Sequence, residues 1–161
     1  MKQKYSSAET SLCIINKVYT HYDFASGSRV LDYGGGKYDM NTTFMKQHGV
    51  DVAVYDKFNR SEEHNAKVLS DARQTRPDYV VCSNVLNVIM EDEVIDSILE
   101  DMASFRSCTI IAVYEGDRTG NGRETSKGYQ RNAKLSEYIP MVEKHFDILS
   151  KRSGMLECLP R

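Results

Sequence analysis

The sequence has no tryptophan, three prolines and four cysteines among 161 residues. Cys13, Cys82, Cys108 and Cys158 form no CxxC pair, and His21, His48, His64 and His145 lie too far apart for the spacing of a zinc site. Neither a structural metal nor a disulfide framework is therefore expected. Cysteines set in apolar runs behave as small hydrophobes, which fits a reducing, cytoplasmic location. Long hydrophobic runs are missing too. Leu12 to Ile15 is broken at once by Asn16 and Lys17, so no signal peptide and no membrane span is expected. An excess of either charge is absent: 21 Lys and Arg face 23 Asp and Glu, a net charge of −2, which excludes the strongly basic character of many nucleic-acid-binding domains. No repeat or low-complexity segment is visible.

What remains is a balanced globular composition, 40% hydrophobic and 27% charged, at a length that suits one core. The expected organisation is a single domain over 1–161, with residues 1–28 as a helical extension. Within that extension Leu12, Ile15 and Tyr19 have helical spacing over 7–20. Arg29 to Tyr33 reads as a buried strand, Gly34-Gly35-Gly36 as a turn, and the following stretch as a helix closed at His48-Gly49. Val50 to Asp56 is a second strand, so a βαβ unit with a parallel sheet follows. Between Asp56 and Pro77 only a short helix or loop and a weak strand near Val68 and Leu69 are expected.

Asp78 to Cys82 gives a third clear strand. Met90, Val94, Ile95, Ile98, Leu99 and Met102 then trace one helical face behind Glu91, Asp92 and Glu93, acids that favour a helix start. Thr109 to Tyr114 is a further buried strand. Glu115 to Arg131 holds four of the ten glycines and reads as a long loop. Leu135, Tyr138, Ile139, Val142 and Phe146 suggest a last helix, strained by Pro140 unless that residue falls in its first turn. Phe146–Leu149 and Met155–Leu159, split by Gly154, would close the sheet as an antiparallel pair. The fold class is thus α/β: a Rossmann-like three-layer sandwich, mostly parallel, with an antiparallel C-terminal hairpin.

The chemistry concentrates in Val30-Leu-Asp32-Tyr33-Gly34-Gly35-Gly36-Lys-Tyr38-Asp39. Here an acid ends a strand and a glycine turn opens a helix; glycine lets the backbone approach a ligand, and a helix amino end favours an anionic group. Asp56 ends the next strand near the roughly 20-residue spacing at which nucleotide folds place a ribose-binding acid. A dinucleotide fingerprint would read GxGxxG, and its last glycine is replaced by Asp39, which weakens a diphosphate assignment.

The run Asp32-x-Gly34-x-Gly36 resembles motif I of class I S-adenosylmethionine-dependent methyltransferases, and Asp56 matches their ribose acid. Ser83-Asn84-Val-Leu-Asn87-Val-Ile is similar to the segment after the fourth strand of small-molecule methyltransferases. Taken together, Asp32, Asp56 and the Val85 to Ile89 run also resemble methyltransferases found beside DNA phosphorothioation systems. The resemblance spans residues 29–114. It implies S-adenosyl-L-methionine as cofactor, held by Asp32, Tyr33, Gly34, Gly35, Gly36, Asp56, Lys57, Asp71, Ser83 and Asn84. In that arrangement the glycines lie under the methionine part, Asp32 meets its ammonium, Asp56 takes the ribose, Asp71 reaches the adenine amino group, and Tyr33 or Tyr38 adds a cation–π contact to the sulfonium.

The substrate motifs of DNA amino-methyltransferases, Asn-Pro-Pro-Tyr or Asp-Pro-Pro-Tyr, are absent, as is Pro-Cys at Cys82, which is expected to pack in the core. Candidate acceptor-side residues are Asn84, Asn87, Glu115, Asp117 and Arg118, although Asn84 and Asn87 could equally cap the next helix. Arg118, Arg123, Lys127, Arg131 and Lys134, with Tyr129 among them, either form a solvated loop or grip a nucleic acid. The expected function is methyl transfer to a small-molecule or nucleic-acid acceptor, with a homo-oligomer allowed. The alternatives are a catalytically silent cofactor-binding or interaction module, or another Rossmann-like enzyme such as a nucleotide-dependent oxidoreductase.

Overall fold

The computed structural model describes residues 14–126 and 128–161. The chain enters through a short helix, α1 (Lys17–His21), whose first turn is capped by the Asn16 side chain accepting from the Val18 N–H at 2.9 Å. The helix expected over 7–20 is therefore shorter where it is described: Ile14 to Asn16 precede it, because Asn16 is its cap. Leu12 and Cys13 lie outside the described residues.

Strand β1 (Arg29–Tyr33) leads through the glycine turn to α2 (Met40–Lys46) and then to β2 (Asp51–Tyr55). Helix α3 (Glu62–Gln74) follows, then β3 (Tyr79–Ser83), a 3₁₀ turn at Leu86–Val88, α4 (Asp92–Ala103) and β4 (Cys108–Ala112). A small hairpin of β5 (Arg123–Thr125) and β6 (Gly128–Gln130) precedes α5 (Leu135–Val142), β7 (Phe146–Arg152) and β8 (Met155–Pro160).

The main sheet has the order β2-β1-β3-β4-β8-β7; its first four strands are parallel, and β8 runs antiparallel to both β4 and β7. Parallel strands covered on both faces are apolar throughout. Here Leu31, Val80, Cys82, Ile111 and Leu156 pack on one face with Ile95, Leu99 and Tyr138 from α4 and α5. Val30, Val52, Val81, Ile110 and Ala112 pack on the other with Val18, Tyr19 and Met45 from α1 and α2. This is the expected three-layer α/β sandwich with its antiparallel C-terminal hairpin.

Four expectations need correction. The region after Asp56 is not trimmed to a loop and a weak strand: α3 runs 13 residues, with the Ser61 hydroxyl accepting from the His64 N–H and Glu62 and Glu63 in the first turn. Val68 and Leu69 mimic a strand in sequence, yet with Ala72 they form one helical face on the core. Met90 stands before α4, exposed, because Glu91 is the cap position. The long loop contains the β5–β6 hairpin. Phe146 opens β7 rather than ending α5, and Pro140 sits within α5 beyond its first turn, which removes one ladder hydrogen bond.

Cys82, Cys108 and Cys158 are free thiols, and burial pushes the Cys82 thiol far up, as a packing role requires. No helix among the described residues is long and apolar enough to cross a membrane, and no three of their His, Cys, Asp or Glu side chains gather as a metal cage would need.

Candidate functional site

In an open parallel sheet, ligands bind beyond the carboxyl ends of the strands, where the connections diverge. A cavity of about 680 Å³ opens there, over the ends of β1, β2, β3 and β4. Its floor is the turn after β1. The Gly34 and Gly35 N–H groups both donate to the Tyr55 carbonyl, at 2.7 and 3.3 Å, which folds the turn back onto β2. Gly34 has φ +88°, and a Cβ there would stand 2.4 Å from Val85 Cγ2. A Cβ on Gly35 would stand 2.6 Å from Asp32 Oδ2. Glycine is thus required twice over, by conformation and by space.

Asp32 lies beneath this turn, 3% exposed. No cation and no backbone N–H of the described residues binds its carboxylate. Burial pushes the acid up to about 7; the Tyr19 hydroxyl opposes that shift, Asp56 adds to it, and Arg60 opposes it more weakly. By contrast, Asp56 is fully engaged. Its Oδ2 accepts from Gly36 N–H at 2.8 Å, and its Oδ1 accepts from Phe58 N–H at 3.0 Å, Asn59 N–H at 3.1 Å and Asn59 Nδ2 at 3.0 Å. Asp56 therefore ties the glycine turn to the β2–α3 connection, with its carboxylate still at the cavity wall.

Two residues that sequence reasoning passed over build this corner. Buried Asn65 clasps the Asp56 backbone, accepting from its N–H at 3.1 Å and donating to its carbonyl at 2.8 Å. Arg60 donates to the carbonyls of Gly36 at 2.8 Å and Tyr38 at 3.0 Å and pairs with Asp39 at 2.8 Å. One guanidinium thus spans three points of the β1–α2 loop. Neither residue carries a motif; the available signal was an arginine and an asparagine shortly after the strand-end acid.

The opposite wall comes from the amino-terminal segment. Asn16 accepts from the Ser83 hydroxyl at 3.1 Å and donates its backbone N–H to Asn41 Oδ1 at 2.8 Å, joining α1, α2 and the end of β3. Ile14, Ile15, Asn16 and Lys17 all line the cavity, so the extension is part of the site. Tyr33 also lines it, but its hydroxyl donates to Asp101 at 2.6 Å and its ring packs on Tyr55.

Of the expected cofactor residues, Asp32, Tyr33, Gly34, Gly35, Gly36, Asp56, Lys57, Ser83 and Asn84 converge on this cavity. Asp71 does not: it stands exposed on α3 in an ion pair with Lys67, because the segment expected as a loop is helical and turns it to solvent. Of the acceptor-side candidates only Asn84 lines the cavity, in a left-handed backbone with φ 60°. Buried Asn87 donates to Gln130 at 3.3 Å and does not cap α4. Glu115 accepts from the Leu135 N–H at 2.7 Å and pairs with Arg118, while Asp117 accepts from the Thr119 N–H and hydroxyl. Those three acids and bases of the β4–α5 connection organise the loop itself. Arg131 is likewise spent, on the Ile89 and Met90 carbonyls and Asp92.

No known protein-family profile matches the sequence, and no curated protein sequence matches it. Among solved structures, the fold is similar to an S-adenosylmethionine-dependent methyltransferase from Aquifex aeolicus, with a TM-score of 0.56 at 12% identity over 90% of this chain and 88% of that one. A second match is a protein from Listeria monocytogenes assigned as an S-adenosylmethionine-dependent methyltransferase, with a TM-score of 0.49 at 15% identity over 84% of this chain and 92% of that one. The first of these likenesses establishes the fold: the chain is a Rossmann-like α/β sandwich of the kind found in the Aquifex aeolicus enzyme.

Proposed function

We propose that the protein binds S-adenosyl-L-methionine at the β1–β2 corner and transfers its methyl group to an acceptor entering from the β3–β4 side. The observation that carries this reading is Asp32: a buried carboxylate without a cation among the described residues, under a glycine turn that no side chain can enter, at the wall of a cavity of nucleoside size. A ligand with an ammonium group satisfies that carboxylate, and bare main chain accommodates the amino-acid portion.

The donor set fits this cofactor. Asp32 would meet the ammonium, the Gly34–Gly36 backbone the amino-acid portion, Asp56 the ribose, and Val85, Val88, Val94 and Ile98 the flat base. Once bound, S-adenosylmethionine would supply a methyl carbon on a cationic sulfur, a leaving group that would keep the S–C electron pair and depart neutral when an acceptor lone pair takes the methyl. The chain's part is alignment and exclusion of water. Arg60 and Asp56 hold the loop rigid, and Asn16 and Asn41 fix the opposite wall. A dinucleotide is disfavoured because Asp39 stands where the GxGxxG turn of that class has its last glycine.

Calorimetric titration with S-adenosylmethionine, S-adenosylhomocysteine and NAD tests the assignment. Saturable binding of the first two, with NAD silent, is the expected outcome; binding of NAD alone would transfer the site to another class of enzyme. Release of labelled methyl into a product separates turnover from silent binding.

A further inference from the structure

The cavity is larger than its β1–β2 corner, and the remainder has its own chemistry. Over the ends of β3 and β4 it is walled by Asn16, Asn41 and Asn84, with Tyr38 and Tyr114 at the mouth. The two rings are 39% and 60% exposed, far more than tyrosines placed for packing. Lys37 Nζ lies 5.2 Å from the Tyr38 ring centroid, and Lys17 lines the same wall with its ammonium beside the β7–β8 turn at Gly154. Neither lysine forms an ion pair among the described residues, in a chain whose net charge is negative.

The amides are only partly spent. Asn16 Oδ1 accepts from Val18 N–H and Ser83, and Asn41 Oδ1 accepts from Asn16 N–H, which leaves both Nδ2 groups, and the whole Asn84 amide, without a partner among the described residues. Among the described residues the acidic side chains lining the cavity are Asp32, Asp56 and Asp101, and no His, Glu or Cys lines it. Asp56 already accepts four hydrogen bonds, and Asp101 accepts from Tyr33 and Arg73. With Asp32 given to the proposed cofactor's ammonium, no described side chain of this wall is free to take a proton from an acceptor.

We infer that the β3–β4 half of the cavity is a subsite for the base of a nucleotide, held by its flat face on Tyr38 and Tyr114, by its polar edge on the asparagine amides, and by its phosphate on Lys17 and Lys37. The inference rests on the proposed cofactor assignment, since it takes the half of the cavity that the cofactor leaves open. Each element answers to a distinct part of such a ligand. Aromatic rings stack on any base, asparagine amides match the donor–acceptor edge of adenine, and lysine ammonium groups suit phosphate. A ring nitrogen of the base offers its in-plane lone pair without losing a proton, which suits a wall whose described residues hold no free base.

Calorimetry on the protein saturated with S-adenosylhomocysteine tests this with adenosine 5′-monophosphate, adenosine, ribose 5-phosphate and a single-stranded deoxyadenosine hexamer. The nucleotide or the hexamer should bind at least about tenfold tighter than either fragment, a free nucleotide being indicated if the monomer wins and a strand if the hexamer wins. Tyr114→Ala should weaken that binding about tenfold, the loss of one stacking ring, while the S-adenosylhomocysteine affinity stays unchanged. The Tyr114 ring is exposed, so its loss leaves the core intact. If S-adenosylhomocysteine binds and neither the nucleotide nor the hexamer does, the subsite is overturned and the cofactor assignment stands. If S-adenosylhomocysteine and S-adenosylmethionine both fail to bind, both fall.

Discussion

Two glycine-rich connections leave this sheet at its carboxyl edge, and they differ in what they do with their polar groups. The β1–α2 loop holds Gly34, Gly35 and Gly36; the β4–α5 connection holds Gly116, Gly120, Gly122 and Gly128. Both need glycine for close approach, since a Cβ on Gly116 would stand 1.9 Å from Asn132 Oδ1, as tight as anything in the first loop. In the second connection, however, the close partners are its own side chains, and Glu115, Asp117 and Asn132 are consumed within it or at the start of α5. In the first, Asp32 is buried beside an open cavity without a cation among the described residues. A glycine cluster alone does not mark a ligand site; an unspent buried charge next to it does.

The largest effect should come from placing side chains in the two turns. Gly34→Val drives its branches into Val85 and should abolish S-adenosylmethionine binding, at least 100-fold by calorimetry, whereas Gly116→Ala should lower the unfolding midpoint and leave the affinity alone. Equal loss of affinity in both would erase the distinction.

Protonation sharpens it next. With Asp32 raised to about 7, an ammonium ligand competes with a proton, so affinity should fall by up to tenfold per unit as pH drops below 7. The same shift means that the ligand-free protein loses stability as pH rises from about 4 through 7, because the folded state there binds the extra proton. Asp32→Asn should flatten both profiles, read by titration and by denaturant melts across pH.

Arg60→Met should raise the dissociation constant about tenfold by freeing the Gly36 and Tyr38 carbonyls, a loss expected from charge-assisted hydrogen bonds. An unchanged constant would mean that Asp56 alone fixes the turn. The smallest effect is on the other side: Glu115→Ala should cost about 1 kcal/mol in urea unfolding by stripping the acceptor from Leu135 N–H, with ligand affinity intact.

Much of the fold was legible in local pattern. Strands β1, β2 and β3 stand within a residue or two of their expected bounds, since runs such as Val-Leu and Val-Val flanked by turn residues admit few other structures. Helix α3 was not legible, because Val68-Leu69 reads as strand until Ala72 and the Ser61 cap are weighed with it. Asp71 was misplaced for the same reason. Glu115, Asp117 and Arg118 were grouped by chain position at the sheet edge, which says nothing about which partners those side chains find within their own loop.

The sequence by itself determined the parallel core, the glycine turn and the two strand-end acids, because periodicity, glycine conformation and chain order are properties of neighbours along the chain. Only the tertiary structure decided that Arg60 grips the loop 24 residues away, that Asn16 closes on Ser83 67 residues away, and that Asp32 meets no cation among the described residues while Asp56 is fully hydrogen-bonded. Burial and pairing depend on what the folded chain brings into contact, and separation in sequence does not encode that distance.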